Sequence, residues 1–266
     1  MIKNFIFDLD GTLCIGKNVI PGGPEALERL RKDGAKILFF TNAATRSRES
    51  VAKKLRDMGY TANKKEIYTG AYILARYLKA HYHGKKIFMV GEIGMQEEFK
   101  NAGIRITNDE MEAEIVTVSL DREFTYEKLG KAHRAVSNGA ILLASNKDHT
   151  HPTEKGHMPG SGAIVASIEF STKQNAIVIG KPNEYAFEII QKEEKIKNTE
   201  TAMVGDRLDT DVLFAKNCGM TSVLVLTGSS TREDIPKKGT YERPRPEYVF
   251  ESVIEIEKLV KKLKKK

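Results

Sequence analysis

Ile2-Lys3-Asn4-Phe5-Ile6-Phe7-Asp8-Leu9-Asp10-Gly11-Thr12 is a short apolar run that stops on two carboxylates and a glycine. Such a run, here Ile2–Leu9, reads as a strand buried on both faces, the kind found in parallel sheets covered by helices. The residues that follow keep that rhythm. Gly23–Asp33 carries Leu27 and Leu30 on one helical face, Ala35–Phe40 is again an apolar run, and Arg46–Met58 is again helical in pattern. The alternation returns late, with Ala176–Ile179, a helix from Glu184, Ala202–Val204, a helix around Val212–Asn217, and Ser222–Leu226. Strands each followed by a helix predict an α/β fold with a Rossmann-like parallel-sheet core.

The middle of the chain, from about His81 to Asn175, keeps an α/β pattern of its own. Strands are expected at Lys86–Val90, Ile115–Ser119 and Ile141–Ala144, with a helix at Tyr126–Ser137. It lacks the polar strand ends described below, and Tyr82-His83-Gly84-Lys85-Lys86 reads as a hinge. The expected organisation is a discontinuous core, residues 1–80 and 178–266, with a second α/β unit inserted at 81–177.

Composition narrows the function classes. Hydrophobic residues make up 40% of the 266 and charged residues 30%, the balance of a soluble protein with a sizeable core. The net charge of +7 resembles that of a nucleic-acid binder, but six lysines lie between Lys258 and Lys266, and removing them leaves +1. A solvated basic tail is therefore expected rather than a nucleic-acid contact. Two cysteines, Cys14 and Cys218, are too few for a disulfide framework and fit a reducing cytoplasm. The N-terminal residues show no signal-peptide pattern, and no apolar stretch is long enough to cross a bilayer, so a cytoplasmic chain without membrane attachment is expected.

The chemistry is expected at the carboxyl ends of strands, where open α/β sheets place their sites. Asp8 and Asp10 end the first strand, and a turn at Gly11 lets both reach one side of the sheet. Gly205-Asp206-Arg207-Leu208-Asp209-Thr210-Asp211 follows another apolar run, and so many carboxylates at one strand end repel unless a cation or a proton relieves them. All-oxygen donors favour a hard ion such as Mg²⁺. Within this cluster Asp206 reads as the ligand and Asp209 as a helix-capping residue. Thr41-Asn42 follows a third run and Lys181-Pro182 a fourth, supplying a hydroxyl, an amide and an ammonium suited to an anion. Each pair alone is ordinary turn chemistry, but four strand ends with groups suited to phosphate and metal are hard to attribute to packing.

The ordered set resembles the haloacid dehalogenase superfamily. Asp8-Leu9-Asp10-Gly11-Thr12 is similar to its first motif, Thr41-Asn42 to its second, Lys181 to its third and Gly205-Asp206…Asp211 to its fourth. A long α/β insert between the second and third motifs resembles the subgroup with a C2-type cap. Gly180-Lys181-Pro182-Asn183 and Val204–Asp211 resemble its NagD-like branch (class IIA). The resemblance covers about Ile2 to Leu226, leaving the basic tail outside. It implies a Mg²⁺-dependent phosphatase of small phosphorylated metabolites: sugar phosphates, phosphoglycolate, pyridoxal phosphate, nucleotides or p-nitrophenyl phosphate.

The resemblance also implies roles. Asp8 would be the nucleophile that forms an aspartyl-phosphate, and Asp10 the acid and base, kept protonated by the crowd of carboxylates. Mg²⁺ would be held by the Asp8 and Asp206 carboxylates and by the backbone carbonyl of Asp10. Lys181 and Thr41 would hold phosphoryl oxygens, Asn42 and the backbone near Ala43 would seat the phosphate, and Asp211 would orient Lys181 or metal-bound water. His151, in the stretch Asn146–Pro152, aligns with a substrate-contacting histidine of the branch. With His149 and His157 it also raises a zinc site, but no cysteine accompanies the three and their spacing is not a familiar ligand pattern. An exposed cap sheet could pair with a second copy to give a homo-oligomer.

Two look-alikes fail on their context. Gly11–Asn18 nearly spells a phosphate-binding P-loop, but Asn18 stands where a Ser or Thr must hold Mg²⁺, and Pro21-Gly22-Gly23-Pro24 follows where a helix must begin. Gly160-Ser161-Gly162 reads as a chain turn before a helix. Three rival functions share the chemistry: a phosphoacceptor switch, a phospho-ligand-binding protein without turnover, and a phosphotransferase to an acceptor other than water. Receiver domains lack a large insert and have no need of Asp10, which argues against the first.

Overall fold

In the computed structural model, which describes residues 2–153, 156–237 and 244–259, the strand Asn4–Phe7 lies inside a six-stranded sheet. The order is Tyr248–Phe250, Thr221–Val225, Thr201–Gly205, Asn4–Phe7, Lys36–Thr41 and Ile67–Thr69. Asn4–Phe7 pairs in parallel with both neighbours, Phe7 standing opposite Val204 on one side and Phe39 on the other. The carboxyl ends of three adjacent strands therefore lie side by side. The apolar runs form strands because both sheet faces are covered. Phe5 and Phe7 pack with Leu30, Phe39, Val51 and Leu55, while Phe40 meets Phe214 edge-on with ring centres 5.5 Å apart. Each such side chain, fully buried, contributes about 1.5–3 kcal/mol.

The helices end where local chemistry stops them. Gly23–Lys32 begins with Pro24 in its first turn, follows Gly22 in the left-handed region at φ 75°, and has Arg29, Arg31 and Lys32 in its last turn, where cations suit the helix dipole. The P-loop look-alike folds as a small hairpin, with Cys14–Ile15 antiparallel to Asn18–Val19.

The chain divides into two compact units, Met1–Thr41, Val51–Tyr68 and Lys181–Lys266 forming one, Asn42–Ser50 and Thr69–Gly180 the other. The second has its own parallel sheet, ordered Ile177–Val178, Ile141–Ala144, Ile115–Val118, Lys86–Val90 and Arg105–Thr107. Its core gathers Val90, Val116, Val118, Ala132, Val136 and Val165. Its edges depart from the expected 81–177. The helix Gly70–His81 belongs here because it packs against the helix Ile93–Asn101, so the turn at Tyr82–Lys85 lies inside this unit and is not a hinge between the two. Asn42–Ser50 also joins it, since Arg48 N donates to the buried carboxylate of Glu98 at 2.7 Å and the Arg48 guanidinium stacks on Tyr72 at 3.5 Å. Among the described residues no helix is long and apolar enough to cross a membrane. Of the expected basic tail, only Lys258 lies among the described residues.

Candidate active site

Asp8 and Asp206 each follow the last residue of neighbouring parallel strands, and Asp8 N donates to Val204 O at 2.8 Å. Thr41 closes the strand on the other side and is buried. Lys181 enters from a distant part of the sequence. Its Nζ donates to Asp8 Oδ1 at 2.6 Å, Asp211 Oδ1 at 2.7 Å and Phe40 O at 3.2 Å, with only 2% of the residue exposed. Carboxylate oxygens of Asp8, Asp206 and Asp211 all lie within 4.8 Å of one another.

Three negative charges against one ammonium leave a deficit that a divalent cation would match. Burial pushes Asp8 well above the ordinary carboxylate range; Lys181 offsets part of this, and the charges of Asp211 and Asp206 add to it. Burial, then Asp211, pushes Asp206 up to about 6, against the hydrogen bond from Ser229 N. For Lys181, burial alone would weaken the ammonium, but Asp211 and Asp8 outweigh it and its pKa is raised. Asp206 Oδ1 is buried without a hydrogen-bond partner, an orphaned oxygen donor facing the need for a cation. An all-oxygen donor set with one unsatisfied member fits Mg²⁺.

Asp10 departs from expectation. Its carboxylate does not join the others; Oδ1 accepts from Lys54 Nζ at 3.0 Å and from Cys14 Sγ at 3.6 Å. The turn at Gly11, φ 91°, directs the Asp10 side chain toward the helix Arg48–Asp57, where Lys54 meets it. Burial and the Asp10 charge push the Cys14 thiol up to about 12, so it stays a neutral donor. Asp209 pairs with the Arg207 guanidinium at 2.9 Å, while Asp211 Oδ2 accepts from Arg207 N at 3.1 Å.

Residues 5–105 match the haloacid dehalogenase-like hydrolase family, and residues 178–256 match the family described as HAD-hydrolase-like. Over 264 residues the chain is 36% identical to the acid sugar phosphatase of Staphylococcus aureus (strain MRSA252), covering 96% of this chain and 98% of that protein. The chain belongs to the haloacid dehalogenase-like hydrolases. Within that family, 4-nitrophenylphosphatase from Thermotoga maritima superposes with a TM-score of 0.89 at 33% identity over 97% of each chain. NagD from E. coli K-12 superposes with a TM-score of 0.86 at 30% identity, covering 96% of this chain and 98% of that one. The chain is a NagD-like phosphatase.

This haloacid dehalogenase-like hydrolase uses a fifth strand end that sequence reasoning missed. After Thr221–Val225 the segment Leu226–Ser230 wraps Asp206: Ser229 N donates to Asp206 Oδ2 at 2.6 Å and Ser230 N to Asp206 O at 3.1 Å. Thr227 Oγ1 donates to Gly11 O at 2.6 Å, tying the first and last of these strand ends together. The signal was Thr227-Gly228-Ser229-Ser230 directly after an apolar run. Lys54 was missed too; its clue was a lysine between the core positions Val51 and Leu55 of one helix.

Glycines wall the carboxylates of this hydrolase. A methyl at Gly11 or Gly228 would overlap the Asp206 carboxylate, and one at Gly205 would overlap that of Asp211. Gly228→Ala should therefore displace Asp206 and weaken divalent-cation affinity by about tenfold or more, the scale of a disturbed ligand environment. Calorimetric Mg²⁺ titration of the folded variant reads this, and unchanged affinity would remove Asp206 as a ligand.

The remaining sequence-predicted residues of this hydrolase lie in the second unit. Asn42 is buried there, and Ala43 O accepts from Gly70 N at 3.2 Å. His151 lies on the hairpin Thr150–Thr153 with Gly156–Pro159, its Nδ1 3.1 Å from Pro159 O, while His149 and His157 are exposed.

Proposed function

We propose that this chain hydrolyses phosphomonoesters of small metabolites with Mg²⁺ through an aspartyl-phosphate on Asp8. Sugar phosphates and p-nitrophenyl phosphate are the leading substrates, by analogy with what the relatives' names state. Phosphoglycolate, pyridoxal phosphate and nucleotides extend the range. The observation that carries the reading is the Lys181 ammonium held between Asp8 and Asp211 beside the orphaned oxygen of Asp206.

A phosphate monoester dianion resists an anionic nucleophile until charge is neutralised. Mg²⁺, held by the Asp8 and Asp206 carboxylates and the Asp10 backbone carbonyl, would supply part of that neutralisation. Lys181 and the Thr41 hydroxyl hold phosphoryl oxygens, Asp211 keeps the ammonium oriented, and Asn42 and Ala43, next along the chain, seat the phosphate. Asp8 Oδ forms a bond to phosphorus as the ester P–O bond breaks, and Asp10, once its carboxylate exchanges the Lys54 contact for a proton, gives that proton to the departing oxygen. Water then attacks phosphorus while Asp10 takes up its proton, the Asp8 O–P bond breaks to free the carboxylate, and inorganic phosphate leaves. His151 and the rest of the inserted unit select the leaving group.

The test is a phosphate-release screen across these five ester classes with Mg²⁺ and with EDTA. Release with Mg²⁺ and loss with EDTA are expected. Undiminished activity in EDTA would remove the metal from the reading, and no release from any class would remove hydrolysis. Phosphorylated alcohols formed in place of free phosphate would favour the phosphotransferase alternative.

A further inference from the structure

Asn42, Asn146, Asp148 and Ser161 form one hydrogen-bonded cluster inside the second unit. Asn42 Nδ2 donates to Asp148 Oδ1 at 3.0 Å, and Asn146 Nδ2 donates to Asn42 O at 2.8 Å. Asn146 is itself held: its Oδ1 accepts from Asp148 N at 3.1 Å and from Ser161 Oγ, whose hydroxyl also lies 3.2 Å from Asn146 O. Asn42, Asn146 and Ser161 are each 5% exposed or less. Two glycines pack directly against Asn42. A methyl at Gly70 would overlap Asn42 O, and one at Gly180 would come within 2.7 Å of Asn42 Oδ1.

A primary amide turns easily about its last torsion, and its two ends differ chemically, one donating and the other accepting. A carboxylate only accepts, so Asp148 holds the nitrogen end of Asn42 toward itself and fixes where Oδ1 and the second N–H point. A charged acceptor makes this bond roughly twice as strong as a neutral one would. We propose that Asp148 is a positioning residue for Asn42, presetting the amide of the second motif and thereby the affinity for phosphate. This rests on the reading that Asn42 seats the substrate phosphate. A device in the loop Asn146–Asp148, far along the chain from Asn42, thus governs a group directly next to Thr41.

The experiment measures kcat and KM for p-nitrophenyl phosphate and Ki for inorganic phosphate in Asp148→Ala, Asp148→Asn, Asn42→Ala and the Asn42→Ala/Asp148→Ala double variant, with folding checked by circular dichroism. Asp148→Ala should raise KM and Ki together by about tenfold, the scale of one charge-assisted hydrogen bond, with kcat little changed. Asp148→Asn retains an acceptor oxygen and should stay within about threefold of the parent. The double variant should be no weaker than Asn42→Ala alone, because the two residues act as one unit. Additive losses, an unchanged KM in Asp148→Ala, or equal losses in the Ala and Asn variants would each overturn the proposal. If Asp148→Ala does not fold, Asp148→Ser, too short to reach Asn42, replaces it and should show the raised KM that Asp148→Asn does not. Loss of turnover in Asp8→Asn with an unaffected Asp148→Ala would sink this inference alone. Full turnover in Asp8→Asn would sink the reading beneath it.

Discussion

Asp8→Asn should abolish phosphate release, lowering kcat on the order of 10³-fold or more, while the fold persists. The amide oxygen is a poor nucleophile, and of the two nearby carboxylates Asp211 is engaged by Lys181 and Asp206 by Ser229 N. Single-turnover phosphate release by the purified variant checks this; normal turnover would remove Asp8 as nucleophile. Stability should move differently. Burial raises the Asp8 pKa, so the folded metal-free protein holds a proton that the unfolded chain releases near pH 4. Stability from this group is present below the unfolded value and is lost as pH rises through the folded one. Asp206, pushed up to about 6, has the same sign. In EDTA the parent should therefore lose stability from pH 4 through 6 and above, and Asp8→Asn should lose less. Melting curves across that range with and without Mg²⁺ read this, and a parent stability that rises with pH would contradict it.

Lys181→Met should impair both fold and chemistry. The ammonium is buried against two carboxylates and a carbonyl, and removing it strands Asp8 and Asp211 without their counter-charge. Breaking a buried pair by deleting one partner destabilises by about 3–5 kcal/mol. The raised pKa of Lys181 gives the sign: its contribution is complete at neutral pH and would be lost only as pH climbs through that value. The deficit of the variant should narrow toward acid pH, where Asp8 takes up a proton and no longer needs the cation. Turnover should fall on the order of 10²–10³-fold, the usual consequence of removing one group that stabilises transition-state charge. Urea unfolding at pH 5 and pH 8, with kinetics at saturating Mg²⁺, measures both effects. A variant as stable as the parent at pH 8 would show that the pair contributes nothing.

The sequence alone specified which residues stand at the ends of parallel strands. Apolar runs without polar alternation must be buried on both faces, and such strands deliver their next polar residue to one edge of a sheet. Asp8, Thr41 and Asp206 were legible for that reason, as was the α/β class of the inserted segment. Lys181 was found by its motif instead, since Ile177–Val178 is a partly exposed edge strand of the second unit's sheet and Lys181 lies three residues beyond it. Tertiary packing settled where those side chains point and what meets them. Asp209 and Asp211 look alike in sequence, but a π-helical turn over Leu208–Val212 buries the second against Lys181 and leaves the first paired with Arg207 at the surface. Asp10 meets Lys54 only because a helix 44 residues further along lies beside the first turn. Asn42 stands next to Thr41 in the chain, yet its partners Asn146 and Asp148 belong to the inserted segment. Local pattern governs which backbone forms; the direction and company of a side chain depend on contacts between residues that no short window contains.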